Sequence, residues 1–433
     1  MAMMARERCG AGGGGAAAGA RIAARAALVL AVVAGDAAPA PAQEPDRTFA
    51  MTLAGDPAAE IRTDEPLAPA DAELAAEAAR RIPSLRFSSG LARAARELAG
   101  SWRGSDLASA PHELIMFALH SSGCPDPSAM AALVATTDSS SEPAWREFAA
   151  TVRSSQERLT HLGVASARDP LRPRYTRWVM LVVDRRYSLR PLPRAVAADA
   201  SVLLVFDLAP ELHGPWVIVK TPHGAMLRFA AGARAAGFEA TLQLGHDPGE
   251  HVVEILASDE HGPQVVALFP ISVAAPPPRK WRGEAPPPEY TIRSPGAAED
   301  YLRDLVDRQR RDNGRKELVW DPRLAVIARR HAEDMRDHDF MGHLSPTSGD
   351  VGDRLHRAGY PFSYAAENIA RSSSLWEAVE SLMRSPGHRA NLLATDPTHA
   401  GIGVAIVVEA DGRRTFFVTQ VFARPNPSML PRR

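Results

Sequence analysis

The hydrophobic pattern changes period twice along the chain. From Asp71 apolar residues recur at helical spacing in "DAELAAEAARRI", "GLARAARELAGSW", "HELIMFALHSSG" and "EPAWREFAATVRSSQERLTHLG", punctuated by Ser, Asp and Gly as caps and stops. These runs predict a small all-α domain over residues 66–168. The next segments are short, β-branched and separated by turn residues: "RWVMLVVD", "ASVLLVFDL", "PWVIVKT", "FEATLQLG", "HVVEILAS" and "QVVALFPISV". They predict a β-sandwich, immunoglobulin-like, over 170–275. His213, His223, His246 and His251 fall near its turns without ligand spacing and read as surface residues.

A Pro-rich stretch at 276–296 reads as an extended linker, and helical spacing returns after it. "AAEDYLRDLVDRQRRDNG" stops on Asn313-Gly314, a C-cap. "DPRLAVIARRHAEDMRDH" opens with Asp321 as N-cap and Pro322 at the first helical position. Its apolar stripe includes His331, which therefore reads as a core histidine. "SLWEAVESLMRS" gives a third helix, and "AGIGVAIVVE" and "RTFFVTQVFA" give two strands joined around Asp411-Gly412, a hairpin signal. Helices around a mostly antiparallel sheet imply a layered α+β domain.

Composition adds limits. The chain has 433 residues, 45% hydrophobic and 23% charged, enough for several cores. A formal net charge of −1 without a long basic run gives no reason to expect nucleic acid as a partner. The N-terminus carries Arg6, Arg8, Arg21 and Arg25, then "AALVLAVVAG" and an A-x-A site at Ala40–Ala42. That layout predicts a signal peptide over 1–42, hence a secreted, extracellular or periplasmic protein. The apolar run is too short for a transmembrane segment, and a polar linker at 43–65 follows. Cys9 lies in the leader, so Cys124 is the only thiol left after cleavage and no internal disulfide is expected.

One motif poses a chemical question. In "SPGHRANLL", residues 385–393, a Pro-Gly corner presents His388 at the mouth of an apolar helical pattern. Together with "FMGHLSP", "AENIA", "HAGIGVA" and "FFVTQVFA", in this order, it resembles the CAP superfamily, the SCP-like domain of cysteine-rich secretory proteins, antigen 5 and pathogenesis-related 1 proteins. The likeness is to its bacterial branch and covers about residues 297–424. It implies an α-β-α sandwich. It also implies a central cavity lined by two histidines and two glutamates, which match His343, Glu367 and His388. The second glutamate position holds Ser385, and Leu382 stands where the family usually has tryptophan.

Two neutral imidazoles and one carboxylate form a donor set suited to zinc or another divalent cation, with a position left for water. On that reading His343, Glu367 and His388 are the metal ligands, and Glu367 is alternatively a catalytic general base. Asn368 and Gln420 read as backbone-pinning residues, Ser345-Pro346 as a turn and His399 as a surface or edge residue. The resemblance implies a secreted or envelope-associated protein that binds lipid, sterol or cell-envelope components. Two other readings stay open: a metal-dependent hydrolase acting on protein or envelope polymer, and a structural or adhesion component. Ser385 in place of a second carboxylate tilts against the enzyme.

Overall fold

The computed structural model describes residues 29–33, 48–101, 111–137, 140–155, 158–169, 172–284, 289, 292–408 and 414–426. They belong to two compact units, one within residues 29–257 and 265–284, the other within 258–264 and 289–426. The chain is multidomain and mixed in class, with several N-terminal sheets and a C-terminal α-β-α region.

The first unit begins with a correction. Residues 66–168 are not all-α, because Met130–Thr136 and His161–Arg168 are strands. They join a sheet ordered Val29–Val33, Met130–Thr136, Thr176–Val183, His161–Arg168, Arg86–Phe87. "RWVMLVVD" thus belongs to this sheet and does not open the sandwich. Helices cover both faces: Leu91, Leu98 and Leu119 pack on Val179 and Leu181, while Trp145 and Phe148 pack on Met180 and Val182. A strand buried on both faces shows no alternation, and the Ala-rich "MAALVAT", buried at all seven positions, imitates a helix by propensity.

Two further sheets of this unit share one core. Leu204, Phe206 and Leu242 of one meet Val217, Val253, Phe269 and Ile271 of the other. His251 is buried there, against the surface expectation, while His213, His223 and His246 are exposed. The linkers also differ from expectation. Thr48–Thr52 pairs antiparallel with Lys280–Glu284, and Glu60–Ile61 pairs with Leu192–Pro193. Met51 and Ile61 are each 1% exposed, so the polar 43–65 segment hides two anchoring side chains. Most of the expected leader lies outside the described residues; within it Val29–Val33 is a strand parallel to Met130–Thr136. Cys124 is buried and unbridged, and burial pushes its thiol up to about 12. No described helix is long and apolar enough to cross a membrane.

The second unit carries the CAP-like motifs. Its sheet runs Val319–Trp320, His399–Val408, Arg414–Pro425, Phe362–Ser372, so two strands more than expected take part. The tyrosine- and alanine-containing "FSYAAENIARS" forms the far edge strand. On one face Leu302, Val306, Leu375 and Val379 pack on Ile402, Val404, Phe416 and Val418. On the other, Leu324, Ala328 and Leu355 meet Ala365 and Val421, and Met335 meets Ile369 and Phe417. Asp321 caps the Pro322–Asp337 helix as expected, and Gly314 ends the Pro295–Asp312 helix at φ +66°. The helix Val351–Arg357 is new relative to the sequence reading; Asp350 and Asp353 form its capping box. The expected Asp411-Gly412 turn lies outside the described residues.

The glycines of "HAGIGVA" set the layer spacing. A Cβ on Gly401 would stand 2.2 Å from Ala325 N, and one on Gly403 1.9 Å from Arg329 N. The Pro322–Asp337 helix therefore lies with its backbone directly on the strand. Residues 258–264 belong to the same unit and close over the following loop. His261 O accepts from Leu344 N at 2.9 Å, and the His261 ring stacks on Phe340 with centroids 5.2 Å apart.

Gly403→Ala should force helix and sheet apart and destabilise the chain by about 3 kcal/mol, near the upper end for overpacking. Urea unfolding checks this; a loss under about 1 kcal/mol would mean that the contact relaxes easily.

Candidate functional site

The site forms around the edge strand Phe362–Ser372, where alternation sends Glu367 to one face and Asn368 to the other. Glu367 is 1% exposed and meets groups from three other elements. His343, in the loop after the Pro322–Asp337 helix, donates from Nδ1 to Glu367 Oε1 at 3.0 Å. Arg354, on the Val351–Arg357 helix, donates from Nη2 to Glu367 Oε2. His331 Nε2 lies 3.8 Å from Oε1 and donates to Gly342 O at 3.0 Å.

Arg354 does more than neutralise the carboxylate. Its Nη1 donates to His343 O at 3.3 Å and to Gly349 O, so one guanidinium holds the histidine loop at both ends. Burial alone would raise the Glu367 carboxyl, but Arg354, His331 and His343 outweigh it and hold it at about 2. Burial pushes His331 down to about 4, with Glu367 opposing.

On the other side of the strand the opening motif is a helix N-terminus. Ser385 is the N-cap of Pro386–Leu392, Pro386 is its first residue, and His388 sits in the first turn. Ser385 Oγ lies 2.8 Å from His388 Nδ1, so the serine at the second-glutamate position orients the imidazole. His388 is half-buried, and burial followed by the neighbouring His343 pushes it down to about 3. Asn368 Nδ2 donates to His388 O at 3.1 Å and to Gln420 Oε1 at 3.2 Å. Asn391 Nδ2 donates to Glu367 O at 3.2 Å and to Asn368 Oδ1 at 3.1 Å. Asn368 and Asn391 thus pin backbone.

The His343 and His388 rings face each other across the strand with centroids 6.3 Å apart. Both have Nδ1 occupied, by Glu367 and Ser385. The expected trio is therefore gathered, with Nε2 of each imidazole left out of these two hydrogen bonds. Both Glu367 oxygens are engaged and a guanidinium stands against the carboxylate, which disfavours a second cation there. Among the described residues no three His, Cys, Asp or Glu side chains are grouped to hold a metal ion. A carboxylate held near 2 is also a poor general base at neutral pH.

Two members of the cluster were not assigned to it from sequence. His331 read as core, and it is fully buried, yet it borders Glu367. Arg354 had no signal beyond the i+3 spacing from Val351 to Arg354 in an unrecognised short helix.

The model of the cysteine-rich secretory protein (CAP) family matches residues 303–422. Among curated proteins, the "Uncharacterized membrane protein YlbC" of Bacillus subtilis (strain 168) is 38% identical over 108 residues, 25% of this chain and 31% of that one. The "Uncharacterized protein YkwD" of the same organism is 36% identical over 111 residues, 25% of this chain and 43% of that one. The chain thus spans less than half the length of either. Among solved structures, an extracellular SCP-domain protein from Bacillus anthracis aligns with 55% of this chain and 86% of its own, at 21% identity and TM-score 0.28. A cysteine-rich secretory protein from Staphylococcus aureus aligns with 55% of this chain and 85% of its own, at 13% identity and TM-score 0.24.

Two outcomes are expected. Zinc should leave the melting temperature unchanged; a rise that His388→Ala abolishes would restore the three-ligand site. Stability should also fall as the pH drops below about 6.5. There the unfolded chain takes up protons that folded His331 refuses until about 4 and His388 until about 3. Stability from the depressed Glu367 carboxyl is present above about 4.5 and is lost toward 2. His331→Gln should flatten the slope between pH 6.5 and 4; an unchanged slope in thermal melts would refute the assignment.

Proposed function

Since residues 303–422 are a CAP domain, we propose that this chain is an exported or envelope-associated protein that acts by binding and not by turnover. Its ligand on this reading is a lipid, a sterol or another cell-surface component, received at the histidine-lined edge of the sheet. The basic N-terminus, apolar run and A-x-A site support export. The N-terminal unit, with a two-sheet part taken as immunoglobulin-like, serves to place the CAP domain.

One observation carries the preference for binding. Glu367 has both oxygens engaged by Arg354 and His343, so the only carboxylate of the trio is committed to holding the fold. Ser385, at the second acidic position, caps a helix and orients His388. Neither group is free to take a proton from water.

The full chain, incubated with an envelope extract and repurified, is expected to retain lipid and to hydrolyse neither casein nor envelope polymer, with or without zinc. Zinc-dependent hydrolysis that drops a hundredfold or more in Glu367→Gln would favour the hydrolase, since general-base work contributes roughly that much.

A further inference from the structure

A cleft of about 270 Å³ opens beside the Glu367 cluster, with Arg354 common to both. Arg330, Arg354, Arg357 and Ser348 border it, with Asp334 and Thr347.

Asp334 and Glu367 offset part of the arginine charge, and Arg330 and Arg357 make no ion pair among the described residues. Asp334 is engaged by Ser345 Oγ, by Thr347 Oγ1 at 3.0 Å and by His338 Nδ1 at 2.8 Å. Glu367 answers Arg354 alone. Arg357 is exposed and donates to Ser348 O at 3.3 Å, a neutral carbonyl. Arg330 is exposed and makes no hydrogen bond or ion pair among the described residues. Arg354 supplies the built part of the site. It is 6% exposed, fixed through both terminal nitrogens, and its Nε is buried with no hydrogen-bond partner. It is the fixed, buried member of the three, and the two exposed guanidiniums are the groups a ligand reaches first.

We propose that this cleft binds a phosphate ester, with Arg330 and Arg357 gripping the phosphoryl oxygens and Arg354 forming the inner wall. A phosphate monoester carries about −1.5 to −2 charge and three acceptor oxygens, which suits two exposed guanidiniums without ion pairs better than a carboxylate does. Arginine's planar fork suits that geometry. The Ser348 backbone N–H is already turned to Ser345 Oγ at 2.9 Å, so its hydroxyl is the group of that residue left for the ligand. The ester belongs to a soluble phosphate compound or to a lipid headgroup. This inference goes beyond the function proposed above and is read out separately from it.

The test uses the full chain and calorimetric titration with inorganic phosphate and glycerol 3-phosphate, beside sedimentation with phosphatidylcholine vesicles with or without phosphatidate. Phosphate or its ester should bind, and Arg330→Gln with Arg357→Gln should weaken binding roughly ten- to a hundredfold, the range of a lost charged hydrogen bond. Arg303→Gln, on another cleft, should change nothing. Phosphatidate-dependent sedimentation lost in the double variant identifies a headgroup; binding confined to the soluble esters identifies a free one. Arg330→Gln alone keeps the test sound if the double variant melts early. No binding to any phosphate compound, equal binding of acetate, or binding untouched by both arginine substitutions would overturn the proposal.

Discussion

A carboxylate removed from water must find its compensation in the protein, and Glu367 finds it in three elements at once. The edge strand supplies the anion, the Val351–Arg357 helix supplies Arg354, and the loop and helix before it supply His343 and His331. Removing any one of these leaves a buried charge or a loose loop. The same guanidinium then reaches His343 O and Gly349 O, so the ion pair also fixes the backbone from which His343 projects. The cluster is at once the lock of this face and the wall of the arginine cleft.

The second constraint is steric. Gly401 and Gly403 let the Pro322–Asp337 helix rest on the sheet without side chains between, and that depth is what brings His331 to Glu367. Gly163 does the same in the N-terminal unit, where a Cβ would stand 2.2 Å from Ala92 N. In both units a glycine on the central sheet decides how close a helix comes. Gly342 is similarly restricted, by His261 of the 258–264 segment, whose Cβ would lie 2.3 Å from an added methyl.

These constraints explain which features could be read directly. Asp321-Pro322 and Asn313-Gly314 act through their own backbone, so helix ends were legible from neighbours in sequence. His343, Glu367 and His388 were found because motifs name them, and the chain does gather them around one strand. The strands Met130–Thr136 and His161–Arg168 were not legible, because burial on both faces erases the period of two and alanine favours helix. Arg354 was not legible either. Nothing near "VGDRLHR" records that a carboxylate thirteen residues later will need its charge.

By itself the sequence determined the CAP-type C-terminal fold, the helix caps, the two-sheet character of the central segments and which three residues the motifs bring to one strand. Those are set by local backbone chemistry and by short motifs. Only the tertiary structure decided what the three residues do together. Ser385 is a cap beside His388 and Glu367 is committed to Arg354, because proximity across 24 residues to His343 and 13 to Arg354 arises from layer packing. Charge compensation in a dry interior depends on which elements are stacked against each other, and that is a property of the assembled layers, not of any segment.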